Sequence, residues 1–143
     1  MSPMVDAGFH ALAFGIGIAG ALGVGVFARW FGLDRARAFY PTVMMVIAFL
    51  YVLFAAMGGG AAVPVEAAVG VGFAFLAALG FKLNPWFVVV ALVGHGLFDW
   101  VHPHVIENRG VPPWWPEFCS AYDVTAGAFL AVLLVRAKGR LAG

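Results

Sequence analysis

The sequence predicts an all-α fold: a polytopic integral membrane bundle of five transmembrane helices. Three observations carry this. The 143 residues are 64% hydrophobic and only 10% charged, against roughly 45–50% and about 25% in soluble domains. The apolar residues fall into five runs, each close to the about 20 residues a helix needs to cross the hydrocarbon core. Basic residues gather in alternate breaks between those runs, as the positive-inside rule requires. The same composition argues against disorder and nucleic-acid binding, because aromatic content is 15% and the net charge is +1 with no basic run. One transmembrane domain over residues 1–143 is expected.

The first run, from Phe9 to Phe31, has no basic residue before it and reads as a retained span, since a cleaved signal would carry a positive leader. The second follows Pro41 and reaches Met57, the third covers Val65 to Phe81, the fourth residues 85–102 and the fifth Tyr122 to Val135. Pro41, Pro64 and Pro85 stand where a first helical turn tolerates proline. His102-Pro103 is expected to stop the fourth span. Residues 103–121, with Pro112, Pro113 and Pro116 among Trp114, Trp115 and Phe118, read as a rigid loop lying like a lid over the outer end.

With five spans, Arg29, Arg35, Arg37, Lys82, Arg136, Lys138 and Arg140 share one side, and only Arg109 is on the other. The N-terminus is therefore expected outside and the C-terminus in the cytoplasm, in the cell (inner) membrane. Asp6, Glu66, Asp99, Glu107, Glu117 and Asp123 map to the outer half, as do His10, His95, His102 and His104, and Asp34 alone is inside.

Small residues mark packing faces. Gly15/Ala19/Gly23 and Gly17/Ala21/Gly25 recur every fourth residue in the first span, and Gly70, Gly72, Ala74, Ala77, Ala78 and Gly80 serve the third. Such faces let helix backbones approach closely in lipid. Gly15, Gly17 and Gly20 also match a dinucleotide fingerprint, but no strand precedes them and the match is discarded.

The chemistry-bearing stretch is 91–124. His95, Asp99 and His102 are spaced i, i+4, i+7 and fall within roughly 60° of one another on a helix. A charged group facing lipid at this depth costs on the order of 3 kcal/mol, so the face must turn into the bundle. Depth proposes its partners: Asp123 opening the fifth span, Glu66 opening the third, and His10 or His104 near the rim. Imidazole with carboxylate suits zinc, with iron and manganese left open. His95, Asp99 and His102 are the expected metal ligands, and Asp123 or Glu66 the expected general base of a metal-dependent hydrolase acting on a lipid-like substrate. His95 with Asp99 is the better ligand pair, since His95 and His102 stand about 10 Å apart along the axis. Cys119 is a lone cysteine, a ligand or an inert packing residue. Tyr122 is placed nearer the cluster than Tyr51 or Tyr40.

Two other function classes stay open. One is a non-enzymatic structural or complex subunit, whose polar cluster and glycine faces drive helix association, as a homo-oligomer or within a larger membrane complex. The other is a transporter subunit handling a small ligand or protons. Membrane lipids are expected partners in every case, and nucleic acid in none.

His95-Gly96-x-x-Asp99-x-x-His102, followed by Trp115-Pro116-x-Phe118-Cys119-x-x-Tyr122-Asp123-Val124, resembles a signature of a family of small bacterial and fungal integral membrane proteins without an assigned activity. The resemblance spans about a quarter of the chain. It implies that His95, Asp99, His102, Cys119 and Asp123 matter, and it implies no reaction. More loosely, intramembrane histidines and aspartates are similar to those of alkaline ceramidases and adiponectin-receptor-like hydrolases, which use seven helices, a zinc ion and a paired H-x-x-x-H. Here Asp99 stands where the second histidine would be.

Overall fold

The computed structural model describes residues 3–141; Met1, Ser2, Ala142 and Gly143 lie outside the described residues, and so do the side chains of residues 3–6 and 139–141, Asp6 and Arg140 among them. The described chain forms five α-helices: α1 (Pro3–Phe31), α2 (Phe39–Met57), α3 (Val63–Lys82), α4 (Trp86–Val105) and α5 (Trp115–Leu141), with a 3-10 turn at Leu33–Arg35. All five are long and apolar enough to cross a membrane.

Local chemistry sets the helix ends. Gly32, at φ 75°, takes the left-handed conformation that closes α1. Gly59 and Gly60, also at positive φ, turn the chain between α2 and α3. Pro41 and Pro64 sit in the first turns of α2 and α3, and Pro85 caps α4. Helix α1 begins at Pro3 rather than Phe9 and α5 runs on to Leu141 rather than Val135, and two further ends differ from expectation near the polar residues. The fourth helix runs past His102 to Val105 with Pro103 inside it, at the cost of the hydrogen bond that a residue 103 N–H would give the Asp99 carbonyl and of ring crowding against that carbonyl. The fifth starts at Trp115, with Pro116 in its first turn. Half of the expected lid is therefore helix, and the loop proper is 106–114.

In space the helices run α1, α5, α4, α3, α2, with α2 also touching α4. The close approaches occur at glycines. Gly17 of α1 lies so near α5 that a Cβ there would meet the Phe118 carbonyl oxygen, and Gly25 has Phe129 against it. Of the two small-residue faces of α1, Gly17/Ala21/Gly25 is the packed one; around Gly15 and Gly23 nothing approaches within 4 Å. Between α4 and α5, a Cβ on Gly96 would stand 3.0 Å from the Ser120 carbonyl oxygen and 3.1 Å from the Asp123 Cβ, and Gly127 lies equally close to Leu92 and Val93.

The distribution of polarity is inverted relative to a soluble protein. Large apolar side chains such as Leu12, Val26, Phe75, Val90 and Leu97 are exposed, while Glu66, His95, Asp99, His102, Ser120 and Asp123 are each no more than 2% exposed. Water would reverse this arrangement and lipid accounts for it.

Candidate functional site

The buried polar residues form two adjoining groups. The deeper one joins α4 to α5. His95 and Asp99, one turn apart, project from α4, and Cys119 and Asp123, also one turn apart, project from α5. Each offers one ligand-type atom, and these four atoms all lie within 4.8 Å of one another. His95 Nδ1 is 2.7 Å from Asp123 Oδ2 and 3.5 Å from Asp99 Oδ2. The Cys119 thiol donates weakly to Asp123 Oδ2 at 3.8 Å. Glycine at position 96 lets α5 come close enough to bring these pairs together.

The shallower group lies toward the ends of α2, α3 and α4. His102 Nε2 is 2.8 Å from Glu66 Oε1. The same carboxylate oxygen accepts from the Asn108 side-chain amide at 2.8 Å, and that amide also donates to the Tyr51 carbonyl at 3.0 Å. Asn108 Oδ1 in turn accepts from the Gly110 N–H at 3.2 Å. Gly110 presses so tightly on α2 that a Cβ would meet the Phe54 carbonyl oxygen, so the loop is fastened over the group.

Tyr51 links the two groups. Its hydroxyl donates to Asp99 Oδ1 at 2.8 Å, and its ring stacks on that of His102 at 4.0 Å between centroids. Phe73 lies edge-on to His95 at 4.8 Å and closes the group toward α3.

Three carboxylate oxygens in this interior have no hydrogen-bond partner among the described residues: Asp99 Oδ2, Asp123 Oδ1 and Glu66 Oε2. An unsatisfied buried acceptor costs about 1–3 kcal/mol, and more when charged. Two of the three belong to the four-residue group.

Of the expected ligands, His95 and Asp99 lie in that group, while His102 is engaged by Glu66 one turn shallower. Of the expected bases, Asp123 is within the group and Glu66 is on His102. His10 pairs instead with Glu117 at 3.0 Å near the rim, and His104 is exposed. The sequence places Tyr51 further from the cluster than Tyr122 and does not single out Asn108. Tyr51 and Asp99 each stand six residues from the end of their helix, about 9 Å in at 1.5 Å per residue; a fourth span ending at His102 hides this match. Nothing in the sequence marks Asn108 beyond its place in a turn-forming loop.

Two cavities open beside the shallower group. One of about 270 Å³ is lined by His102, Asn108 and the prolines 103, 112, 113 and 116. Another of about 560 Å³ lies between the α2–α3 turn and Asn108. Neither is lined by His95, Asp99, Cys119 or Asp123. In comparisons with known proteins, no family model, curated protein or solved structure matches the chain.

Proposed function

We propose that this is a multi-pass protein of the cell (inner) membrane whose bundle holds a divalent transition metal, zinc before iron or manganese, through His95, Asp99, Cys119 and Asp123. The observation that carries the reading is the convergence of four donors in which, among the described residues, Asp123 Oδ1 has no hydrogen-bond partner and Asp99 Oδ2 has only His95 Nδ1 at 3.5 Å. A divalent cation turns their buried charge from a cost into an attraction. One thiolate, one imidazole and two carboxylates form a borderline-soft set, which suits zinc and does not suit magnesium or calcium. Donors around a tetrahedral zinc stand about 3.3–3.8 Å apart at the usual bond lengths. The widest pair here, at up to 4.8 Å, closes on the ion by about an ångström. The metal would displace both the proton that His95 and Asp123 share and the Cys119 thiol proton.

Four protein donors fill a tetrahedral sphere, the pattern of a site that ties elements together rather than one that keeps a place for water. On this reading the ion clamps α4 to α5. A hydrolytic reading has one observation in its favour. Glu66 is a buried carboxylate with a partnerless oxygen, and its partner His102 lines the 270 Å³ cavity. A lipid-like substrate entering there meets His102 and Glu66 before the metal, and Cys119 must stand back so that water can take its place.

Elemental analysis of the protein purified without added metal tests the main reading. About one zinc per chain is expected, and stripping it with a chelator should lower the melting temperature. Saturation at 1,000 times Kd is worth about 4 kcal/mol. A metal-free protein whose melting ignores both chelator and added zinc would overturn it. Glu66→Gln separates the two roles: it abolishes turnover of an ester- or amide-linked lipid in a hydrolase but leaves a clamp with its zinc.

A further inference from the structure

The opposite end of the bundle carries a different chemistry. All five helices and the 3-10 turn converge on a cavity of about 470 Å³ there, within the about 300–1,000 Å³ usual for small-molecule sites. Its wall is apolar, with Val88 of α4 and Leu130, Leu133 and Leu134 of α5. Its rim is polar, with Arg29, Asp34, Arg37 and Tyr40. Two rim atoms are buried and have no hydrogen-bond partner among the described residues: Asp34 Oδ1 and the Tyr40 hydroxyl. The Asp34 side chain is 3% exposed, and Tyr40 is 7% exposed. Arg29 reaches Asp34 Oδ2 at 3.2 Å through one nitrogen, and Arg37 makes only a long contact to the Leu83 carbonyl at 3.4 Å. Both guanidinium groups keep donors to spare.

These features specify a ligand. Two arginines and one aspartate leave the rim one positive charge in excess, which a headgroup of net charge −1 neutralises. A phosphate fits the free guanidinium donors. Asp34 Oδ1 needs a donor and the Tyr40 hydroxyl needs a partner, and hydroxyl groups on the same headgroup meet both needs. The leucine wall fits the start of an acyl chain. We propose that this cavity is a binding site for an anionic phospholipid whose headgroup carries free hydroxyls, with the chemistry of phosphatidylglycerol. The phosphate lies between Arg29 and Arg37, the hydroxyls lie on Asp34 and Tyr40, and a chain runs along Leu130 and Leu134. A zwitterionic headgroup leaves the excess charge unpaired, and a bare phosphatidic acid leaves both orphaned atoms unmet.

The test is lipid retention by native mass spectrometry of the purified full chain, with phosphatidylglycerol, phosphatidylethanolamine and phosphatidic acid offered in equal amounts. The unaltered protein should keep phosphatidylglycerol over both others. Tyr40→Phe and Asp34→Asn should each reduce its preference over phosphatidic acid by about tenfold, the worth of one strong hydrogen bond. Arg37→Ala, a change at an exposed side chain, should lower retention of both anionic lipids together. Equal retention of phosphatidylglycerol and phosphatidylethanolamine by the unaltered protein overturns the proposal. So does a preference that none of the three variants moves. Soluble glycerol phosphate that displaces the lipid at equal concentration would reduce the site to an anion site and overturn the lipid as its occupant.

Discussion

Tyr51 does three things at once. Its hydroxyl serves Asp99, its ring stacks on His102 and its carbonyl receives Asn108. Removing the hydroxyl alone should therefore loosen Asp99 and leave the stack intact. Tyr51→Phe is expected to weaken zinc binding by about 10–100-fold, the usual cost of losing an outer partner of a ligand. Competition against a chromophoric chelator measures this, and an unchanged affinity would remove Asp99 from the ligand set. Cys119→Ser should lower zinc affinity further, whereas Glu66→Gln should leave the zinc content alone. The spacing of His95 and Asp99 was legible in the sequence because helical periodicity fixes it; the depth of Asp123 was not, since α5 starts at Trp115 rather than Tyr122 and sets Asp123 well inside the helix. The sequence leaves Cys119 between ligand and inert packing and places Tyr51 behind Tyr122, because their roles depend on which helices become neighbours, and periodicity within one helix says nothing about that.

At the scale of helices, glycine decides where two backbones meet. Gly17 sits against the Phe118 carbonyl, while Gly15 and Gly23 on the same helix have nothing within 4 Å. A methyl group at Gly17 overpacks that contact and should cost about 1–3 kcal/mol. Gly15→Ala and Gly23→Ala should be close to neutral. Thermal melts in one detergent separate them, and equal effects would mean that α1 packs on another face. Gly96→Ala carries the same logic into the candidate site. It pushes α5 off α4 at Asp123, so zinc affinity should fall together with stability. The sequence displayed both small faces of α1 without distinguishing them, since the choice is made by the bulk of Phe118, Tyr122 and Phe129 on α5. It also hid the start of α5. Pro116 reads as loop among aromatic residues, yet the rule that placed Pro41 and Pro64 in first turns applies to it equally.

For the whole molecule, the segregation of charge is the governing fact. Arg29, Arg37, Lys82 and Arg136 belong to the end with the lipid-sized cavity, and Glu66, Glu107 and Glu117 to the other. From the positive-inside rule we propose that the histidine-rich end faces away from the cytoplasm. Cys119 is buried, so single cysteines can report this in the unaltered background. Glu107→Cys should react with an impermeant maleimide in intact cells, and Leu83→Cys only after permeabilisation; the reverse pattern would invert the topology. The separation of helix ends follows from composition alone, which is why the bundle class was readable before any contact was known.

The position of α1 has a consequence of its own. It packs along α5, and every side chain of the two buried polar groups comes from α2, α3, α4, α5 or the 106–114 loop. Detaching a helix within a bilayer swaps protein contacts for acyl-chain contacts and wets no apolar surface, so detaching α1 forfeits packing and the His10–Glu117 pair. A chain trimmed to start after Gly32 would thus be a four-rod remnant carrying all four of the proposed metal donors, peeled on one flank.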